Sequence, residues 1–401
     1  MKTETFFLLL ATLLMSIVAA RPADAQTPAT PAQTTSADSS PAAEAKRHAD
    51  EGLKFYQQRL YAQAESALRE AIRLDPNNAE YHLDLGVVLQ DLQRSEEAEV
   101  EKKTAVRLAP KDAFYHQQLG VTLHEEKKYV EAEAEKREAV KLEPTSARYH
   151  NSLGATLHQQ KKYAEAEAER RQAVKLEPTN SYFQYQLAVS LNAQGKLEED
   201  EAVSKEAVRL DPTNAEYRNS LGITLQALKK YAESETHKRE AVRLQPDSAE
   251  YHNSLGSLLH VEEKYAEAET ERRQAVKLAP DNAFYHYQLG VTLHQEQKYA
   301  EAEVEKRQAT RLDPNNAEYH DQLGITLSVQ KRYTEAVAEK REAVRLAPNK
   351  AEYHYGLGNT LTWLDSWAEA EAEYRRAVAL DPTNAQYQQQ LQKVIDSQRK
   401  P

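Results

Sequence analysis

No cysteine occurs in the 401 residues, which removes disulfides, zinc ribbons, thiol nucleophiles and lipid-modified cysteine together. Glycine is scarce, at 11 residues, and builds no phosphate loop; a nucleophile elbow and a paired-histidine zinc helix are missing as well. Positive charge is in deficit. With 52 basic against 63 acidic residues, a net of −11 and no basic tail, a dedicated nucleic-acid binder is excluded. Aromatic residues are only 7% and hydrophobic ones 40% of the chain, too little for a conventional thick core. The expectation is a protein without catalytic residues, cofactor or metal.

Long apolar runs are confined to one place. Phe6–Ala20, 15 residues long, follows Lys2 and precedes Ala23-Asp24-Ala25. Charged, apolar and small residues in that order are those of a secretory signal cleaved after Ala25, and the run is short for a membrane span. Residues 1–25 are read as a signal peptide, the mature chain as starting at Gln26, and the protein as exported, periplasmic or secreted, with no membrane span after cleavage. Residues 26–44 mix Pro, Ala, Thr and Ser with almost nothing to bury, the composition of a disordered tether.

What the chain does have is a period. Proline stands at 76, 110, 144, 178, 212, 246, 280, 314, 348 and 382, every interval being 34 residues. Ten copies of one unit begin at residues 45, 79, 113, 147, 181, 215, 249, 283, 317 and 351, with the proline at position 32 of each. Small or apolar residues recur at positions 7, 8, 11, 17, 20, 27, 28 and 30 (in the third copy Leu119, Gly120, Leu123, Tyr129, Ala132, Ala139, Val140 and Leu142), a helical spacing that predicts two helices per unit. Proline ends the second helix. Pairs such as Asn77–Glu80, Thr213–Glu216 and Asn315–Glu318 are expected to start the next one as capping boxes.

This pattern resembles the tetratricopeptide repeat over residues 45–384: Leu-Gly at positions 7 and 8 (Leu85-Gly86, Leu119-Gly120, Leu153-Gly154, Leu221-Gly222 and later copies), Ala at 20 (Ala98, Ala132, Ala166, Ala268, Ala302, Ala336, Ala370) and Pro at 32. The resemblance implies an all-α, right-handed α-solenoid of ten helix–turn–helix repeats, closed by a C-terminal capping helix in residues 385–401. Two positions depart from the family. Position 4 is His in most copies, and position 24, an aromatic in the family, is Lys102, Lys136, Arg170, Lys238, Arg272, Lys306 or Lys340 in seven of them. The histidines are expected to pack, since positions 4 and 12 lie about 12 Å apart along a helix, too far to share a metal. The position-24 cations are expected to lay their stems on the neighbouring unit and keep their charges in water. Copy 181–214 combines Ala188, Asp200, Leu197 and Gly195 against the pattern and is expected to be the weakest joint.

The resemblance further implies a concave groove lined by positions 2, 5, 9, 12 and 13 of the first helices. These vary from copy to copy while the packing positions barely change. Candidate partner contacts are Phe114, Gln117, His124, Asn151, His158, Tyr182, Tyr185, Asn219, Asn253, His260, Phe284, Tyr287, His294, Tyr355 and Trp363. At position 2, Phe114, Tyr182 and Phe284 replace the Glu of the expected capping box; contacts to a ligand and staples between helices both account for them. The function expected is a scaffold holding a protein or extended peptide, with no oligomeric state implied. An envelope- or glycan-associated structural role is the alternative. A basic clamp for acidic chaperone tails, which some members of the family carry on their first helices, is lacking.

Overall fold

The computed structural model describes residues 40–398, and these form 21 α-helices and no strand. The expected signal, 1–25, and residues 26–39 of the expected tether lie outside them. Of the remaining tether residues, Ser40 caps a helix and 41–44 lie in its first turns. The first helix is Pro41–Gln57, with Pro41 in its opening turn and Ser40 Oγ accepting the Ala43 N–H at 3.2 Å; a serine followed by proline is a helix start that outweighs the composition around it.

Every unit is a pair of antiparallel helices, Ala113–Glu125 with Tyr129–Leu142 in repeat 3 and Ala147–Gln159 with Tyr163–Leu176 in repeat 4. The second helix stops two residues before the proline, and the residue between takes an extended conformation, φ −135° at Glu143, as the proline ring requires. First helices begin one residue later than the capping-box pairing predicts. The caps are Asp112, Asn180, Asn214, Ser248, Asn282 and Asn316, whose side chains accept the N–H one or two residues inside the helix. Position 2 is thus the second helical residue, not the third, and cannot close a capping box. Phe114, Tyr182 and Phe284 therefore forfeit no cap.

The turn inside each unit places position 15 in the left-handed region. Nine non-glycine residues there have φ between 54° and 62°, and Gly195 has 71°. Left-handed backbone is costly for a side-chain-bearing residue and free for glycine. Lys161→Gly is expected to stabilise its repeat by about 0.5–1 kcal/mol, and Gly195→Lys to destabilise by about as much, in urea titrations.

Contacts divide the chain into residues 1–88 and 89–401. In the first unit, a Cβ placed on Gly52 would lie 2.8 Å from Leu68 Cγ, and Ala45, Ala49, Ala64, Leu68 and Ala71 are buried. In the second, each helix pair packs on the next, and first helices of consecutive repeats also touch, which places them on the inner side of the stack. The second helices are bridged by long side chains: Arg137 reaches Glu133 and, at 2.5 Å, Glu165 of the following repeat, while Lys162 returns to Glu133 at 2.7 Å. The last helix, Ala385–Gln398, buries Tyr387 and Val394, the latter in one cluster with Leu357, Leu361 and Tyr374.

Glycine at position 8 marks the closest approach of the two helices. A Cβ on Gly120 would meet Lys136 Cγ at 2.6 Å and the Ala132 carbonyl at 3.3 Å. Repeat 5 shows what this space is for. There Ser204 replaces the long position-24 side chain, and Ala188 fits, 1% exposed. Asp200, in the same repeat, is buried with its carboxylate accepting from Ser204 Oγ (2.8 Å), Asn192 Nδ2 (2.9 Å) and Thr224 Oγ1 (2.7 Å). The departures of this repeat from the pattern are partnered with one another, and its turn, with Gly195, carries the least backbone strain.

The histidines at position 4 are hydrogen-bonding groups. His150 Nε2 lies 3.0 Å from the Pro144 carbonyl and Nδ1 2.6 Å from Glu169 Oε2; His116, His252, His286, His320 and His354 repeat both contacts. Where histidine is replaced, the carbonyl still receives a donor: Gln184 Nε2 on Pro178 at 3.1 Å, and Arg218 Nε on Pro212 at 2.8 Å. The position ties the inter-repeat turn to the following helix. His150→Gln is expected to change stability little, whereas His150→Leu, which strands the carbonyl and Glu169, should cost about 1–2 kcal/mol by urea unfolding.

Candidate binding face

Between the first and second helices of residues 89–398 lies a column of buried cations. Lys102, Lys136, Arg170, Lys238, Arg272, Lys306 and Lys340 are each between 1% and 4% exposed. Their charges are not in water, contrary to the expectation from sequence. The reason is a partner twenty residues on, at position 10 of the next repeat: Lys136 Nζ donates to Thr156 Oγ1 at 2.8 Å, Lys306 Nζ to Thr326 Oγ1 at 2.9 Å, Lys102 Nζ to Thr122 Oγ1 at 2.7 Å and Arg170 Nη1 to Ser190 Oγ at 2.7 Å. Position-6 carbonyls accept too, Ser152 from Lys136 at 3.3 Å and Gln186 from Arg170 at 2.7 Å. Lys238, which faces Leu258, uses Gln226 Oε1 (2.6 Å) and the Ser254 carbonyl (3.0 Å) instead. Lys340 alone makes an ion pair, with Asp321 at 3.0 Å.

Burial without an opposite charge disfavours the ionised form. It pushes the Lys136 ammonium down to about 7 and those of Lys102, Lys238 and Lys306 to about 8. The position-12 histidines sit beside this column. Burial first, and the neighbouring cation second, take His124 down to about 3 and His260 and His294 to about 4. These rings are neutral. His124 Nδ1 meets Thr156 Oγ1 at 2.9 Å and His294 Nδ1 meets Thr326 Oγ1 at 3.1 Å, while His124, His158, His260 and His294 rest edge-on against Tyr129, Tyr163, Tyr265 and Tyr299, with centroids 5.0–5.2 Å apart. Among the described residues no group of three or more metal-ligating side chains converges.

The other candidates separate into two sets. Tyr185 and Tyr287 are engaged with the first helix of the next repeat, and Tyr355 with the last helix. Their rings lie 4.8–4.9 Å from Tyr217, Tyr319 and Tyr387; the hydroxyls of Tyr185 and Tyr287 donate to Glu216 (2.8 Å) and Glu318 (2.5 Å), and Tyr355 accepts from Gln386 (2.9 Å). The position-2 glutamates Glu216 and Glu318, which read as capping residues, are the partners of Tyr185 and Tyr287. Gln117, half-buried, donates to Ser152 Oγ at 2.8 Å. Asn151, Asn219 and Asn253 are buried, and their Oδ1 atoms, like Gln117 Oε1, have no partner. Left open to solvent are Tyr182, 39% exposed, and Phe284, 44%; Phe114 is half-buried against Tyr115. Trp363, 68% exposed, ends its helix and stacks on Tyr333 at 5.6 Å.

A family model described as a tetratricopeptide repeat matches residues 49–113, 162–215, 219–283 and 262–317, and a second of the same description matches 351–384. Comparison with curated protein sequences finds no match. Among solved structures, the Cut9–Hcn1 hetero-tetramer of the APC/C is similar over 87% of this chain and 76% of that one, at 13% identity and a TM-score of 0.50, a likeness of fold. The pilF protein of Pseudomonas aeruginosa matches at 23% identity (53% of this chain, 96% of that one, TM-score 0.46), and YrrB, a TPR protein with an unusual peptide-binding site, at 19% (46% and 96%, TM-score 0.41).

Proposed function

The chain belongs to the tetratricopeptide repeat family, and from that premise we propose that it is a non-enzymatic scaffold holding a protein or extended peptide along the inner face of its first helices. The observation that carries this reading is the contrast between a frame repeated to the residue and an inner stripe in which positions 2, 5 and 12 change from repeat to repeat, with Tyr182 and Phe284 open to solvent. A stiff, preordered surface loses little entropy on binding, so many modest contacts sum to useful affinity. Among the described residues no helix is long and apolar enough to cross a membrane. Photo-crosslinking amino acids placed at Tyr182, Phe284 and, on the outer helices, Val130 test the reading in intact cells. Capture of a protein at 182 and 284 but not at 130 supports it; capture at 130 alone overturns it.

Export is part of the proposal, supported by the order of residues in 1–25. N-terminal sequencing of protein recovered outside the cytoplasm should begin at Gln26. A start at Met1 in a membrane fraction would show that Phe6–Ala20 is retained as an anchor.

A further inference from the structure

Repeats 4, 6 and 7 share a feature the other repeats lack. Each has asparagine at position 5 (Asn151, Asn219, Asn253) and a buried cation at position 24 (Arg170, Lys238, Arg272). The register of these positions is fixed by repeat 9, where the position-5 residue is Asp321 and its carboxylate lies 3.0 Å from Lys340 Nζ. Asparagine there leaves the cation's charge uncancelled. In repeats 4 and 7 the Nε–H of Arg170 and Arg272 is buried without an acceptor, a donor left for an anion; the unpaired Oδ1 atoms of the three asparagines are acceptors and suit a backbone N–H of the partner rather than its carboxylates. In repeat 9 the charge is compensated, by the Asp321 carboxylate on Lys340. Between repeats 4 and 6 the sign reverses, because repeat 5 buries the carboxylate of Asp200 and has Ser204 in place of the position-24 cation.

We propose that the inner face is a charge template for an extended acidic polypeptide, with carboxylates opposite repeats 4, 6 and 7 and none opposite repeat 5. The proposal rests on the inner face being the binding face. Buried donors and cations in a low-dielectric wall act on an anion across the groove far more strongly than exposed charges do. A buried carboxylate repels a second one in the same way. Packed helices are roughly 8–10 Å apart and an extended chain advances about 3.3 Å per residue, so each repeat spans about three residues of partner. The partner's carboxylates then recur at every third residue, with one step left neutral. The net charge of −11 opposes long-range steering, so selectivity arises at contact distance.

Three fluorescein-labelled 16-residue peptides test this by anisotropy at physiological salt: one with aspartate at every third position, one in which only the central aspartate is asparagine, and one in which all are asparagine. The centre-neutral peptide is expected to bind at least about fivefold more tightly than the fully acidic one, a gap set by one like-charge contact, and the uncharged peptide more weakly than both. In Asp200→Asn, whose amide can still meet Ser204 and Thr224, the fully acidic peptide should become the tightest. Arg272→Gln should weaken both acidic peptides while circular dichroism stays unchanged. Equal binding of all three peptides, with crosslinking at Tyr182, would overturn the charge template and leave the inner face as the binding surface. No binding by any peptide, with no capture at Tyr182, would overturn both.

Discussion

Thr156→Val is expected to destabilise the fold by about 2–3 kcal/mol, and Lys136→Leu added to it should recover most of the loss. The threonine hydroxyl is the closest partner of a buried ammonium, at 2.8 Å, with the Ser152 carbonyl at 3.3 Å as its second acceptor. Removing the hydroxyl leaves a charge that water cannot reach. Removing the charge as well leaves a leucine stem against Gly120, the arrangement that repeat 1 already has in Gly52 and Leu68. Repeat 1 also shows the apolar version of the pair, since Leu68 at position 24 is followed twenty residues on by Val88, both buried. Lys136→Leu alone should be milder than Thr156→Val, because Thr156 keeps His124 Nδ1 as a partner at 2.9 Å. Urea unfolding of the four chains gives the double-mutant cycle. Measured at pH 6, where Lys136 is charged in both states, a harmless Thr156→Val would mean that the ammonium is solvated in the folded protein.

That pair also marks where sequence reading stops. Positions 7, 8, 11, 20 and 32 could be read directly because helix period, small-residue crossings and proline stops are local rules, and the helix pairs follow from them. The fate of position 24 depends on a residue in the next repeat, and a lone lysine in a charged helix reads as solvated. A signal was nevertheless present in the chain: Lys or Arg at 24 is followed twenty residues later by Thr or Ser at 102–122, 136–156, 170–190, 272–292, 306–326 and 340–360, and Leu68 by Val88. Ser204 changes together with Ala188 and Asp200. The candidate face was legible as a stripe, but the share of it already occupied was not. Tyr185 and Tyr287 spend their hydroxyls on glutamates 31 residues away, a pairing hidden by the resemblance of those glutamates to capping residues. The offset of one residue at the helix starts arose from the same ambiguity, because adjacent Asn, Asp, Ser and Thr all qualify as caps.

The buried lysines give the protein an unusual dependence on pH. For Lys102, Lys136, Lys238 and Lys306 the folded state releases its proton at about 7 to 8, whereas the unfolded chain holds it to about 10.5. Below pH 7 both states are charged, and the folded one bears the full penalty of burying the ammonium. Between about 8 and 10.5 the unfolded state binds more protons, so stability rises with pH. Tyrosines set the upper limit. Tyr149 and Tyr374 are raised by burial to about 12 from 10.0, and a phenol whose proton is held more tightly in the folded state loses its contribution as pH climbs past 10. On the acid side, His124, His260 and His294 are held neutral by burial, with folded values of about 3 to 4 against 6.5. Their contribution is lost as pH falls below 6.5. The melting temperature is therefore expected to be highest near pH 9–10, roughly 5 °C or more above its value at pH 7, and to fall on both sides. Differential scanning calorimetry from pH 5 to 11 checks this. Replacing Lys136 and Lys306 by methionine should flatten the rise between pH 7 and 9 while leaving the decline below 6.5 in place; a maximum at pH 6–7 in the unmodified protein would show that the buried amines stay charged and partnered across the whole range.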